Sequence, residues 1–114
     1  MKTFCLSAIV TSLFVLPALA EPVKLTEPEI RAEIIDTKLK GHRVGMTASI
    51  FHASDGTTTV NAFIRKRKGR WEIVDDQLCI TWNGEDEAKC NSILRRGEGR
   101  YELDPQGMTF EVKD

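Results

Sequence analysis

The sequence predicts a mainly β fold: an antiparallel meander, rolled into a small barrel or folded as a sandwich, with one short helix at its N-terminal end. Two observations predict it. From Gly41 onward, short stretches of alternating or β-branched residues are separated at near-regular spacing by turn signals. The connections between those stretches are too short for the crossovers that parallel strands need. Barrels and sandwiches both carry this pattern.

The first twenty residues read as a secretory signal peptide. Lys2 supplies the positive start, and Phe4 to Leu16 form an apolar run interrupted by Ser7, Thr11 and Ser12. Pro17 ends the run, and Ala18-Leu19-Ala20 places small residues where a signal peptidase needs them, just before Glu21. A membrane-spanning helix wants about 20 apolar residues, more than this run offers. The expectation is cleavage after Ala20 rather than a retained anchor. Cys5 then leaves with the leader, and the 114 residues less these twenty make one domain, 21–114, with no transmembrane segment. Losing Lys2 takes the formal net charge from −1 to −2, which gives no ground for a nucleic-acid partner.

Leu25-Thr26-Glu27-Pro28-Glu29-Ile30 predicts the helix start. Thr26 caps, Glu29 reaches back to complete a capping box, and Leu25 and Ile30 stand as a hydrophobic staple. Pro28 is tolerated in a first turn, where its missing N–H has no partner to lose. The helix is expected to run to about Asp36, with Ile30, Ile34 and Ile35 as the stripe that docks on the rest. Strands are then expected over 46–53, 58–67, 70–74, 77–82, 89–96, 100–103 and 108–113. The turns between them fall at Asp55-Gly56, Lys68-Gly69, Asp75-Asp76, Asn83-Gly84-Glu85-Asp86, Gly97-Glu98-Gly99 and Asp104-Pro105-Gln106-Gly107.

After the leader, Cys79 and Cys90 remain, an even count suited to an oxidising compartment. A hairpin centred between Gly84 and Glu85 sets them directly opposite, within disulfide reach. Such a bridge contributes about 2–3 kcal/mol. The same register places Leu78 and Ile80 opposite Asn91 and Lys89, so the two strands disagree about which face is the core. Thiol redox or metal chemistry is the alternative, but the spacing is not C-x-x-C and no further ligand stands nearby.

Arg65, Lys66, Arg67, Lys68 and Arg70 form a basic run, expected at a hairpin tip, and are the candidate contacts for an anion or partner. Alternate turns of a meander share an end, so this tip and acidic Glu85-Asp86-Glu87 fall together and can neutralise each other. Trp71 and Trp82 are the candidates for an aromatic binding surface. With Phe51, Phe63, Tyr101 and Phe110 they are spread nearly one per strand, which suits a filled core first and an aromatic-lined cavity second. His42 and His52 lie in no catalytic or metal pattern, and a triad drawn with Ser49, Ser54 or Ser92 has no G-x-S-x-G elbow. Asp75, Asp76 and Asp104 lack a calcium-loop pattern and read as turn residues. No catalytic residue, metal or cofactor is therefore expected, and the chain is not expected to be an enzyme.

Two stretches, Leu25-Thr26-x-x-Glu29-Ile30 and Gly69-Arg70-Trp71-x-Ile73-x-x-Asp76-x-Leu78-Cys79-Ile80, followed by Cys90 and Tyr101, together resemble a diffuse group of small exported bacterial proteins. The resemblance spans most of the chain after the leader but rests on few positions. It implies a periplasmic or secreted location and a small β fold, and no activity. The basic run at Arg65 to Arg70 departs from the neutral hairpin tip usual in that group. Small exported β-barrels that inhibit proteases or lysozyme are a fold-level analogy only, since none of their inhibitory motifs occurs here. The leading expectation is a non-catalytic binding or interaction module of the cell envelope, whose partner is an envelope protein or a small ligand. The alternatives are an inhibitor of an envelope or secreted hydrolase acting through the Lys68-Gly69 tip, and a binder of a small ligand or lipid in a barrel cavity.

Overall fold

The structure is a computed structural model, and it describes residues 21–43 and 45–113. The leader predicted over residues 1–20 lies outside the described residues. The elements are β1 (Val23–Lys24), α1 (Glu27–Glu33), β2 (Leu39–Arg43), β3 (Met46–His52), β4 (Thr57–Ala62), β5 (Arg65–Val74), β6 (Gln77–Trp82), β7 (Lys89–Gly97), β8 (Arg100–Asp104) and β9 (Thr109–Val112). Each strand from β2 to β9 pairs antiparallel with the next in sequence, and β9 returns to β2. The meander therefore closes into an eight-stranded up-and-down barrel, which leaves no sheet edge in the wall. The ninth strand, β1, lies beside β7 at Leu94 and Arg95, beyond the stretch of β7 that pairs with β6.

Eight strands enclose a space that side chains can fill or that can hold one small ligand. This chain fills one end. Leu25 donates its N–H to the Ile93 carbonyl of β7 at 2.9 Å, and Asp36 donates to the His52 carbonyl of β3 at 2.8 Å. The segment between them crosses the barrel end, carrying α1 with it. Along the way the Glu27 N–H donates to Asp76 Oδ1, in the β5–β6 turn, at 2.7 Å. A carboxylate is favourable there because the first-turn N–H groups of a helix have no internal partner. Ile30, Ile34 and Ile35 are buried with Leu25, Leu39, Trp71, Ile93, Tyr101 and Phe110.

The predicted cap is present: the Glu29 carboxylate accepts from the Thr26 N–H at 2.9 Å and from its hydroxyl at 3.1 Å. Those two bonds hold Glu29 below the usual carboxylate range. The helix is shorter than predicted. It ends at Glu33, because Ile35 bridges to His52 and Asp36 turns into the left-handed region at φ 61°, where its carboxylate accepts from the Ser54 N–H at 2.8 Å.

Glu33 ties the helix to the wall. It accepts from the Tyr101 hydroxyl at 2.8 Å and from the Arg95 guanidinium at 2.6 Å. Burial, then the bond to Glu33, pushes the Tyr101 phenol up to about 12. Tyr101→Phe keeps the ring that stacks on Phe110 and leaves Glu33 paired with Arg95. We expect it to cost about 1 kcal/mol, the net worth of one hydrogen bond, in urea unfolding.

Two predicted features of the β4–β5 region are corrected. Lys68-Gly69 is not a turn: β5 runs unbroken from Arg65 to Val74. Gly69 lies opposite Trp82, and a Cβ there would come within 2.6 Å of the Thr81 carbonyl oxygen and 3.0 Å of the Trp82 Cα. The glycine serves a close approach of two strands rather than a reversal. The turn is instead Phe63-Ile64, between paired Ala62 and Arg65, with Phe63 at φ 59°. Phe63 and Ile64, expected on a strand, are 96% and 88% exposed.

Strand β2 was not predicted. Its described inward positions are Leu39 and Gly41, only one of which carries an apolar side chain. The space beside Gly41 is taken by the side-chain ends of Met108 and Ile50.

Candidate ligand-binding cavity

The connections alternate between the two ends of the barrel. Residues 53–56, 75–76 and 98–99 lie at the end that α1 crosses. The connection between β2 and β3, Phe63-Ile64, residues 83–88 and residues 105–108 lie at the other, which carries no plug among the described residues. Inward positions alternate along each strand, as a barrel wall requires. Below this open end is a cavity of about 920 Å³. That is within the range of small-molecule sites, roughly 300–1,000 Å³. Ile50, Val60, Leu78, Ile80, Leu103 and Phe110 supply much of its apolar lining.

Leu78, Ile80, Asn91 and Lys89 all line it. The strand disagreement seen in the sequence is thereby resolved without any irregularity, since the pairs Leu78–Asn91, Cys79–Cys90 and Ile80–Lys89 form as predicted. The disulfide Cys79–Cys90 joins β6 to β7 on the opposite face. Asn91 is buried but satisfied: its Oδ1 accepts from the Gln106 N–H at 3.0 Å, and its amide group reaches Gln106 Oε1 at 3.5 Å. Lys89 sits nearer the open end, where its ammonium is 3.9 Å from Glu85.

Arg67 also lines the cavity. Its guanidinium lies 4.3 Å from the Trp82 ring centroid and 2.6 Å from Glu85 Oε2. The expected neutralisation between the basic run and the acidic connection thus occurs, through Arg67. The rest of the run separates by strand alternation. Lys66, Lys68 and Arg70 share the outer phase of β5, and Arg65 stands exposed beside the Phe63-Ile64 turn. None of the five sits at the tip, and the protruding loop that a hydrolase inhibitor would use is not formed at Lys68-Gly69.

Neither tryptophan forms a flat outer patch. Trp71 is buried toward the plugged end, with its Nε1–H donated to the Ala53 carbonyl at 2.7 Å and Arg31 stacked on it at 5.7 Å. Trp82 lines the cavity beneath Arg67. Phe110 also lines the cavity, and Tyr101 belongs to the buried core beside it.

The two histidines face opposite sides of the wall. His42, on the outside, has Nε2 2.7 Å from Glu111 Oε1, a bond that lowers the Glu111 carboxyl. His52, at the inner end of the cavity, has Nδ1 2.9 Å from Thr58 Oγ1, and both residues are buried. Burial pushes its imidazole down to about 4, so at neutral pH it is an uncharged part of the lining. Among the described residues no three His, Cys, Asp or Glu side chains converge as a metal site, and no helix is long and apolar enough to cross a membrane.

Sequence reasoning missed Ile50, Leu103, Met108 and Gln106 as lining residues. The one available signal was the pairing of apolar Leu78 and Ile80 with polar Asn91 and Lys89, which marks an interior that is not uniformly dry. Comparison of the chain with protein-family models, curated proteins and solved structures finds no match.

Proposed function

We propose that this protein is a non-catalytic carrier or receptor for a small amphipathic molecule, held in the barrel with its apolar body inside and an anionic end at the mouth. The cavity of about 920 Å³, open at one end only, carries the reading. An apolar body gains by leaving water for the surfaces of Val60, Ile80 and Phe110. Arg67 and Lys89, the two cations that line the cavity, share Glu85 as their partner, so among these three groups one positive charge is left for an anionic end such as a carboxylate. The cell envelope or the secreted fraction is the proposed location. It is supported by the leader-like first twenty residues and by a disulfide that suits an oxidising compartment.

The test is titration with an anilinonaphthalene sulfonate, an anionic fluorophore that brightens in apolar surroundings, with a long-chain fatty acid as competitor. Val60→Trp places a large ring in the cavity. We expect it to weaken fluorophore binding by about tenfold or more while leaving the fold intact, because the added volume enters open space rather than a packed core. Fluorophore binding to a folded Val60→Trp at wild-type strength would place the ligand elsewhere and remove this reading.

A further inference from the structure

We propose that the Phe63-Ile64 turn inserts into an anionic lipid surface, so that the open end of the barrel rests on the bilayer from which its ligand enters. The docking stands on the turn itself; ligand entry rests in addition on the cavity reading above.

Phe63 carries the argument. A two-residue hairpin with φ above zero at its first position ordinarily takes Gly, Asn or Asp there. This chain places a bulky aromatic residue at φ 59°, where a side chain strains the backbone, and leaves it 96% exposed. Folding gains neither conformational ease nor burial from it. Ile64 beside it is 88% exposed, and Met46, at the same end of neighbouring β3, is 60% exposed. Among the described residues the other large apolar side chains on the surface (Val23, Val74 and Val112) are each under half exposed and lie toward the plugged end. Among the described residues the most exposed large apolar side chains are therefore gathered at the cavity mouth.

Charge selects the surface. Arg65 and Lys66 follow the tip directly and Lys68 lies two residues on, all exposed. An aromatic and an aliphatic residue backed by cations match the boundary of an anionic bilayer, with rings at headgroup level and cations among the phosphates. Of the acidic residues of this end, Glu85, Asp86 and Glu87 belong to the connection after β6, on the far side of Arg67, and Asp104 ends β8, across the barrel from the tip. Docking through the tip therefore tilts the barrel, with the β6–β7 connection raised. An apolar molecule passing from the bilayer into the cavity then avoids crossing water.

The experiment is flotation of the purified, oxidised protein with vesicles, either phosphatidylcholine alone or phosphatidylglycerol and phosphatidylcholine in equal parts. We expect stronger binding to the mixed vesicles, weakening as salt is raised. Phe63→Asn/Ile64→Ser should reduce that binding by about tenfold. Arg65→Ser/Lys66→Ser should reduce it by about thirtyfold, from roughly 1 kcal/mol for each cation near the surface. Asn accepts positive φ, so the first variant should keep or raise the melting temperature, and its fluorophore affinity in vesicle-free buffer should not change. Absence of binding to either vesicle, or vesicle binding unchanged by both variants, would overturn the proposal. So would capture of a protein through the tip without vesicle binding. Tip-dependent vesicle binding by a protein that takes up no fluorophore would sustain the docking and sink the ligand reading.

Discussion

Ile30→Ala is expected to destabilise the barrel by about 3–4 kcal/mol, a large fraction of the stability of so small a domain. Ile30 is fully buried and sits on the one helical turn that faces inward at the plugged end. Truncating it leaves a void in the core it shares with Trp71, Ile93 and Tyr101, which the strand wall cannot collapse to fill because its positions are fixed by closure. Ala improves helix propensity, but by only a few tenths of a kcal/mol. The effect should appear in urea melts as a lowered midpoint with an unchanged slope. Arg31→Ala, one residue on, removes only the exposed Glu27 pair and the contact over Trp71, and serves as the control at no more than about 1 kcal/mol. Equal effects at the two positions would mean that the helix does not plug the barrel.

The second large effect is a pH dependence carried by His52. Its folded pKa of about 4 lies below the 6.5 of an unperturbed imidazole, and burial is the cause. Between those values the unfolded chain holds a proton that the folded chain does not. Stability is therefore complete above about pH 6.5 and falls as pH drops toward 4. At 1.36 kcal/mol per unit, the loss over this window is about 3 kcal/mol. His52→Gln keeps a polar partner for Thr58 but cannot titrate, so its stability should be nearly flat over the same window. Its absolute stability is secondary, since the slope is the readout. Glu29, Asp55 and Glu111 are also held below their ordinary values, by bonds from Thr26, Thr57 and His42 respectively, and add an acid-side loss common to both proteins. Parallel curves for wild type and His52→Gln would show that His52 is not the buried neutral group described above.

What was legible in the sequence was local. Thr26-x-x-Glu29 specifies a helix start through contacts three residues apart. Asn83-Gly84-Glu85-Asp86 marks a turn, and a hairpin centred on it sets Cys79 opposite Cys90. Residues whose identity answers a distant neighbour were misread. Gly69 looked like a turn because glycine usually marks one, whereas it yields space to a strand thirteen residues later. Phe63-Ile64 looked like strand because neither residue is a turn former. Leu39 to Arg43 shows no strand pattern of its own, because Gly41 gives its inward space to Met108, far along the chain. The meander was therefore readable, while its closure and the position of its basic strand were not. The cavity follows from closure, together with a helix whose docking end no local pattern specifies.

The most direct test of the account is an amide NMR titration of the oxidised protein with a long-chain fatty acid. A barrel that binds through its open end gives saturable shifts that cluster at Val60, Arg67, Leu78, Ile80, Leu103 and Phe110, with the outer-face positions Lys40, Ser49 and Glu72 little changed. Saturable shifts confined to the outer face, or none at all at saturating ligand, would contradict a barrel that binds through its open end.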